Sequence, residues 1–362
     1  MRTALANGMR LGALAVLTAV AGCSGSGYVA RSVEGHLSLL NSARPVSEWI
    51  ADSATPTDLR ERLLLSQRIR DFAVIELKLP DNASYRRYAD LHRSAAVWNV
   101  VATPELSLSL KTWCFPVTGC IGYRGYFELA QAREEATELR AQDLEVSVYP
   151  VPAYSTLGKL PGNFFADPLL NTFIRWPEGE LARLIFHELA HQVAYARDDT
   201  AFNESFATAV ERLGGKRWLD EHASAQAREE YAQFDARRVQ FRALTLSARG
   251  RLDAIYRSSA SEADKRAGKE RAFQELRADY EQLKSQQWGG YAGYDPWVAN
   301  ANNASLAVQA AYDDWVPAFT RLFEKEGRDW TRFYARVKEL AQMPPEERHA
   351  ALRDQISDAR AR

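Results

Sequence analysis

The chain has 362 residues, of which 46% are hydrophobic and 26% are charged. This composition is typical of a globular protein, and the length suffices for one large domain or two modest ones. The formal net charge of -1 excludes a strong overall field that would attract nucleic acids or acidic membranes. No segment resembles a nucleic-acid-binding module. We therefore expect no nucleic-acid partner and a substrate that is neutral or of mixed charge.

The first 22 residues have the pattern of a secretory signal peptide. Arg2 and Arg10 flank the beginning, residues 11–20 are apolar, and small residues precede Cys23. The apolar run is about half of the roughly 20 residues that a membrane-spanning helix requires. The sequence therefore predicts a segment that is removed on export.

The small residues followed by Cys23 resemble the lipobox of bacterial lipoproteins. This resemblance implies that the signal is cut before Cys23, that the cysteine carries lipid, and that residues 24–28 form a tether to the membrane. Ser24, the residue after the cysteine, resembles the residue found there in lipoproteins that are sorted to the outer membrane. This resemblance implies that the protein lies at the periplasmic face of the outer membrane in a Gram-negative host. The alternative is an ordinary cleaved signal in which Cys23 is incidental.

Two other cysteines remain, Cys114 and Cys120. An oxidising envelope compartment permits disulfides, and residues 115–119 contain the Pro and Gly that a tight reversal needs. Neither cysteine has a second Cys or His at metal-ligand spacing. We expect a disulfide between them, with two free thiols as the alternative.

The pattern before residue 169 predicts a mixture of helices and strands. Apolar residues at about 3.6-residue spacing predict a helix over 57–79, which Pro80 ends. Aromatic and β-branched residues, or strict alternation, mark short strands. The further predicted elements are a strand at 98–101, a hairpin within 115–127, a helix over 128–142 and a strand over 144–151.

The pattern after residue 169 is helical. We expect a short helix over 169–175 and another that opens at Pro177, because proline suits a first helical turn. Apolar residues at heptad spacing predict a long helical hairpin inserted at about 223–285. The final helical region has core residues at helical spacing: Trp315, Phe319, Leu322, Trp330, Phe333 and Val337.

These elements predict an α+β fold that is predominantly helical. The predicted organisation is a signal at 1–22, a tether and N-terminal segment at 23–56, and one domain at 57–362 that contains the helical hairpin.

Residues 187–191 have the pattern His-Glu-x-x-His. On a helix, His187 and His191 lie one turn apart on the same face, so both imidazoles can reach one metal ion. Glu188 projects beside the open coordination position, where it can act as the base for a water that the metal activates. The pattern predicts a catalytic zinc site. The alternative is ion pairing on the surface of an amphipathic helix.

The sequence after His191 predicts a second helix packed against the first. We expect the first helix to end around residues 197–199, where Asp199 or Thr200 can cap a second helix that stops at residues 214–215. With a short turn, the end of the first helix and the first turn of the second are close neighbours.

A catalytic zinc with one open position needs a third protein ligand. Glu204 lies 13 residues after His191, in the first turn of the second helix, and can complete a His-His-Glu site. Glu211 lies two turns further along the same face, where it can hydrogen-bond a ligand imidazole. The alternatives for the third ligand are Glu211, Asp198 and Asp199.

Residues 187–192, taken with 203–207, resemble the gluzincin type of zinc peptidase. More closely, the chain resembles a family of bacterial proteins described as predicted aminopeptidases. Segments across most of the exported chain carry this resemblance: residues 119–127, 151–158, 302–304, Tyr312 and 315–319. It implies a zincin-like core and aminopeptidase activity. The chain lacks the Gly-x-Met-Glu-Asn segment that binds the substrate amine in the best-known gluzincin aminopeptidases. The sequence therefore does not decide between an exopeptidase and an endopeptidase.

Peptide hydrolysis also needs a group that stabilises the oxyanion. Tyr291 and Tyr294 lie in a Gly-rich stretch that can approach a substrate, and Tyr154 is a third candidate. A packing role is the alternative for each tyrosine. Residues 122–127 are a candidate edge strand for pairing with a peptide. The other histidines are interpreted as structural or exposed: His36, His92, His222 and His349.

Together these features predict a lipid-anchored zinc peptidase of the bacterial cell envelope, with Zn2+ as cofactor and a peptide as substrate. Glu188 would accept a proton from the attacking water and pass it to the leaving amine. The alternative is a catalytically weak or inactive lipoprotein that keeps the peptidase fold and binds peptides or proteins. The presence of both histidines with Glu188 and Glu204 argues against that alternative.

Overall fold

A computed structural model of the chain describes residues 26–115, 119–153, 163–310 and 315–357. The signal segment, Cys23 and Tyr154 lie outside the described residues. Helices dominate and small sheets lie between them, which confirms the α+β, predominantly helical class. Within the described ranges, no helix combines the length and the apolar character that crossing a membrane requires.

The first half of the chain alternates between helices and short strands. In chain order the elements are α1 (Ser26–Ser42), β1 (Arg44–Pro45), α2 (Val46–Ala51), α3 (Thr57–Ile75), β2 (Arg87–Ala89), β3 (Val97–Pro104), β4 (Trp113–Phe115), β5 (Gly119–Ile121), β6 (Arg124–Tyr126), α4 (Leu129–Arg140), β7 (Leu144–Val151), the 3-10 turn Asn163–Phe165 and β8 (Leu169–Leu170).

The second half is helical. It contains α5 (Glu178–His191), α6 (Thr200–His222), α7 (Ala225–Arg257), α8 (Glu262–Gln286), α9 (Asp295–Ala299), α10 (Asn303–Ala310), α11 (Val316–Lys325), α12 (Trp330–Gln342) and α13 (Pro345–Ser357). The long hairpin predicted over 223–285 is confirmed as α7 and α8, and the final helical region as α11 to α13.

The largest strand pairing joins β3 to β7, antiparallel over eight residue pairs from Val97–Val151 to Pro104–Leu144. The edge strand β6 pairs with the other side of β3, so this sheet has the order β6-β3-β7. The predicted strand over 144–151 is confirmed with its bounds. The hairpin predicted within 115–127 is found slightly earlier, since its first strand is β4, which begins at Trp113, and its second is β5. A disulfide joins the facing Cys114 and Cys120.

The two faces of the β6-β3-β7 sheet have different partners, because successive strand residues point to opposite sides. Val100 and Ala102 are fully buried with Val146 in a small core that includes α4. Asn99 and Tyr149 lie on the opposite face, where the Asn99 amide donates to the Tyr149 hydroxyl at 3.3 Å. That second face therefore carries a polar pair.

The main hydrophobic core surrounds α5 and α6. Phe72 of α3 contacts Phe186 of α5 and Trp218 of α6, with ring centroids 5.9 and 5.3 Å apart. On another side, Phe206 of α6 contacts Phe319 of α11. The hairpin α7–α8 has a separate core with α9.

The segment predicted as a helix over 169–175 is instead a strand followed by turns. Leu169 and Leu170 are buried and pair in parallel with Tyr88 and Ala89 of β2. The Asn171 side chain then accepts from the Leu91 amide and donates to the Arg93 carbonyl. These contacts occupy the segment before Pro177, so the apolar residues pack as a strand.

Three predicted helix ends differ from the structure by four residues or more. α3 ends at Ile75, four residues before the end expected at 79. α5 ends at His191, six residues before the position expected from the sequence, and residues 192–199 form the connecting loop. α6 continues through Gly214 and Gly215 to His222. Both glycines are buried. They do not end the helix but allow neighbouring side chains to pack closely against its backbone. A Cβ at Gly214 would lie 2.5 Å from Leu77 Cδ1 and 3.1 Å from Phe186 Cδ2.

Gly214→Ala should lower the free energy of unfolding by up to about 2 kcal/mol. Overpacking a core costs about 1–3 kcal/mol, and alanine recovers about 1 kcal/mol relative to glycine in a helix. Equilibrium urea unfolding followed by tryptophan fluorescence measures the change. Gly250→Ala is the matched control, because Gly250 lies in α7 with nothing within 4 Å of an added Cβ, and it should be neutral or stabilising. A stabilised Gly214→Ala variant would contradict the packing role.

Candidate metal centre

Helices α5 and α6 bring the candidate residues of the His-Glu-x-x-His segment together. Contacts step along the two helices in opposite directions: His191 lies near Glu204, His187 near Glu211, and Glu178 accepts from the Trp218 indole at 3.0 Å. The helices are therefore antiparallel neighbours, as the sequence predicted from the short connection between them.

The loop between these helices is held by its own last residue and by a side chain of the second helix. Asp199 caps α6, since its Oδ1 accepts from the Phe202 amide at 3.0 Å, which confirms the predicted cap. Asn203, only 2% exposed, accepts from the Ala196 amide at 2.7 Å and donates to the Ala196 carbonyl at 2.8 Å. The residue before Glu204 thus fixes the loop that follows His191.

The disulfide-bonded hairpin β4–β5 docks on the same loop. The Cys120 amide donates to Asp198 Oδ1 at 2.7 Å. Asp198 has the left-handed φ of 62°, and Gly119 has a φ of 76° in a place where an added Cβ would overlap the Asp198 carboxylate. The Asp198 carboxylate therefore binds the hairpin, and it is not one of the donors clustered with the two histidines.

Three donor atoms converge between the helices. His187 Nε2 and His191 Nε2 are 3.1 Å apart, and Glu204 Oε2 lies 3.3 Å from the first and 3.7 Å from the second. Ligands at 2.0–2.1 Å from a tetrahedral zinc are roughly 3.3 Å apart. The three side chains are 12%, 7% and 14% exposed. The donor set therefore fits a single small cation within a largely dry site.

Glu211 supports one of the imidazoles. Its Oε2 lies 2.9 Å from His187 Nδ1, and its Oε1 accepts from the Arg183 guanidinium. A carboxylate on the far ring nitrogen fixes the orientation and tautomer of a metal-binding histidine. The structure places Glu211 where the sequence predicted a partner for a ligand, and Glu204 rather than Glu211 lies at the Nε2 atoms.

The electrostatics favour a cation at the imidazole nitrogens. Burial by itself lowers the pKa of His187, but hydrogen bonds to Glu204 and Glu211 outweigh it and raise that pKa well above its ordinary value. Burial lowers the pKa of His191 to about 4, with Glu204 opposing the shift only in part. The two Nε2 atoms are too close for both imidazoles to be protonated there. The negative charges of Glu204 and Glu211 therefore favour a single positive charge between the two rings.

Glu188 lies next to the first histidine on the same helix and is half-buried. Burial raises the pKa of its carboxyl to about 7; the positive charge on His187 opposes this shift, and the negative charges of Glu204 and Asp167 add to it. A carboxyl with a pKa near neutrality can both accept and return a proton. Glu188 is not among the three clustered donors.

Two tyrosines from distant segments interact electrostatically with Glu204, and the sequence did not identify them as candidates. Burial, and then the charge of Glu204, raises the pKa of Tyr123, and Glu188 contributes to the same shift. Burial also raises the pKa of Tyr149 to about 12, with a smaller contribution from Glu204. Tyr123 falls within residues 119–127, which contribute to the family resemblance, but its spacing has no pattern that marks a site.

Tyr291 and Tyr294 pack in the separate core of the helical hairpin. Tyr294 stacks on Phe241 with ring centroids 3.9 Å apart, and the Arg237 guanidinium lies 4.5 Å from the Tyr291 ring. Within the described residues, neither tyrosine has a contact with the three donors. The structure thus favours the packing alternative for both, while Tyr154 lies outside the described residues.

The remaining histidines have roles away from the donors. His36 is buried, His92 is exposed beside Asp90, His222 stacks on Trp218, and His349 lies 2.8 Å from the capping Asp199. Their interpretation as structural or exposed agrees with these positions.

Asn203→Ala should destabilise the loop between α5 and α6. The variant leaves the Ala196 amide and carbonyl unpaired where Ala196 is fully buried, and each unsatisfied buried group costs about 1–3 kcal/mol. Urea unfolding should therefore show a loss of about 2–6 kcal/mol. Asn300→Ala removes an exposed bond to Pro296 and should change stability by no more than about 0.5 kcal/mol. Equal stabilities of the two variants would refute the role of Asn203.

Comparison with known proteins identifies the family. Residues 27–352 match the family model Aminopep, described as "Putative aminopeptidase". No curated protein matches the chain, and no solved structure does. The match spans the sheets, both donor helices, the helical hairpin and most of the final helices. The chain therefore belongs to the family described as "Putative aminopeptidase".

Proposed function

We propose that this protein is a zinc-dependent peptidase with a zincin-like core of the gluzincin type. One observation carries the proposal: His187, His191 and Glu204 offer ligand atoms that all lie within 4.8 Å of one another, with Glu188 on the same helix as the two histidines. Membership of the aminopeptidase family supports peptide hydrolysis as the activity. The donor chemistry supports zinc, because two imidazoles and one carboxylate are a common catalytic zinc set.

His187, His191 and Glu204 would hold the metal, and Glu211 would orient His187. When bound, zinc supplies Lewis acidity that polarises a carbonyl oxygen and makes water a stronger nucleophile at neutral pH. Glu188 is neither a donor nor part of the orienting pair, so its carboxylate is free for proton transfer. In this proposal Glu188 accepts the proton of the attacking water and returns it to the leaving amine.

In this proposal, the face of the β6-β3-β7 sheet that carries Asn99 and Tyr149 would form one wall of a substrate cleft. Tyr149 stands on that face with Asn99, and Tyr123 immediately precedes β6. A hydroxyl from Tyr123 or Tyr149 would stabilise negative charge on the carbonyl oxygen as it develops. β6 is an edge strand of its sheet, and its free edge would pair with an extended peptide. These two tyrosines have better support for this role than Tyr291 and Tyr294.

We further propose that the mature protein is attached to the cell envelope through lipid on Cys23, at the periplasmic face of the outer membrane. The lipobox pattern supports the anchor, and the disulfide between Cys114 and Cys120 suits an oxidising compartment. The proposed substrate is a peptide with a free amino end, which follows from the family description.

His191→Ala should lose the metal. Full-length protein purified in detergent should contain one zinc per chain by elemental analysis, and the variant should contain almost none, because two donors hold a catalytic zinc poorly. His222→Ala is the matched control: its ring stacks on Trp218, 4.9 Å between centroids, and offers no ligand to the site. Equal zinc contents in His191→Ala and wild type would contradict the assignment of His191 as a zinc ligand.

Glu188→Gln should keep zinc and fold but lose nearly all hydrolysis. The substitution preserves shape and removes the base, and general acid–base assistance is worth about 10² to 10⁴ in rate. Initial rates on a panel of free-amine and amine-blocked peptides measure this loss. Glu204→Gln is the contrasting variant and should lose metal first, because it alters a ligand.

The outcomes of this comparison separate the hypotheses. Substantial hydrolysis by Glu188→Gln would contradict the proposed mechanism. A wild type that binds zinc but cleaves nothing in the panel would favour a peptide-binding lipoprotein. Cleavage of blocked peptides as readily as free-amine peptides would favour an endopeptidase.

A further inference from the structure

A buried arginine lies one turn before the first histidine on α5. Arg183 is 6% exposed, and its guanidinium is surrounded by acceptors from three helices. It donates to Glu211 of α6 and to the Tyr231 hydroxyl of α7 at 3.2 Å. It also lies 3.7 Å from Glu180 of α5 and 3.7 Å from Asp235 of α7. Such a position is costly for a charge unless its partners are well placed.

The Arg183 contact determines how Glu211 can be used. Glu211 gives Oε1 to the guanidinium and Oε2 to His187 Nδ1, so its two oxygens have separate partners on the same helix. A charge-assisted hydrogen bond with the planar guanidinium restricts the rotation of the carboxylate. The orientation of the carboxylate in turn restricts the His187 ring.

The sequence leaves room for this arrangement at two glycines. A Cβ at Gly215 of α6 would lie 2.8 Å from Arg183 Cγ, and a Cβ at Gly179 of α5 would lie 2.5 Å from the Tyr231 ring. Glycine inside a helix lowers helix stability relative to alanine. The two glycines therefore accommodate a close approach of Arg183 and Tyr231 that larger residues would prevent.

A second arginine connects the same cluster to the helical hairpin. Arg238 of α7 donates to both oxygens of Glu180, at 2.9 and 2.7 Å, and to Asp235 at 2.5 Å. Glu180 and Asp235 are the carboxylates that also flank Arg183. The first half of the hairpin thus holds the acceptors around Arg183 in place.

We propose that Arg183 is a positioning residue for the metal ligand His187, acting through Glu211, and that α7 holds Arg183 in position through Asp235, Tyr231 and Arg238. The inference deepens the proposed function and rests on it, since it concerns the same metal site. It assigns the helical hairpin a part in metal retention, although the hairpin supplies no ligand.

A purely structural role for Arg183 makes a different prediction. If the arginine only joined α5 to α7, its replacement would lower stability, but the folded protein would bind metal as before. Metal affinity and stability without metal must therefore be measured separately. Arg217→Met is the matched control, because Arg217 of α6 pairs with Glu76 and Glu221 and has no contact with the donors among the described residues.

The experiment measures zinc affinity of the full-length protein in detergent by competition with a chromophoric chelator. Arg183→Met keeps an unbranched stem and removes the guanidinium, and it should weaken zinc binding by about 10- to 100-fold, the range for lost outer-shell partners. Arg238→Met should weaken zinc binding in the same direction but less. Arg183→Lys should recover part of the affinity, because it restores a cation beside Glu211. Arg217→Met should bind zinc like wild type.

Two further readouts complete the test. Cobalt(II) substitution should give a visible absorption band in wild type that is altered in Arg183→Met and unaltered in Arg217→Met, because the band reports the ligand geometry. Urea unfolding with a chelator present gives stability without metal. If Arg183→Met does not fold, Arg183→Lys and Arg238→Met provide the same comparison. Wild-type zinc affinity and an unaltered cobalt spectrum in the folded Arg183 and Arg238 variants would overturn the inference alone. A wild type that binds no zinc would overturn the proposed function and the inference with it.

Discussion

The register between α5 and α6 is the constraint on which the donor set depends. A shift of one residue along either helix would rotate its side chains by about 100° and separate the donors. Two kinds of contact fix this register. Gly214 and Gly215 let Phe186 and Arg183 approach the backbone of α6, and Asn203 ties the connecting loop by two backbone hydrogen bonds. Residues with no catalytic chemistry of their own therefore decide whether Glu204 meets the histidines.

The charged residues near the donors form a connected chain rather than isolated pairs. His187 meets Glu211, Glu211 meets Arg183, and Glu180 joins Arg183 to Arg238. Buried ion pairs contribute little net stability, and apolar replacements are often neutral or stabilising. Fold stability alone is thus a weak reason for this cluster beside a hydrophobic core. A requirement to hold one imidazole in a fixed orientation is a stronger reason.

The sequence predicted the parts of the site that depend on one helix or on a short connection. The four-residue spacing of His187 and His191 fixes their common face, and the cap at Asp199 places Glu204 near the beginning of α6. The errors arose where tertiary packing overrides local preference. A Gly-Gly pair typically ends a helix, but Gly214 and Gly215 lie at a close helix crossing. Tyr123 and Tyr149 come under the influence of the Glu204 charge only through the fold of the sheet, which no local spacing encodes.

The helical hairpin connects the two walls of the proposed cleft. Near the middle of α7, Arg238 binds Glu180 of α5. Near the tip of the hairpin, Lys269 of α8 pairs with Glu145 of β7, and Arg266 binds Glu105 just after β3 at 3.0 Å. The same hairpin therefore contacts both the helix that carries the histidines and the sheet that carries Tyr149. Because its own core is separate from the main one, it can hold these two walls at a set distance without contributing a single ligand.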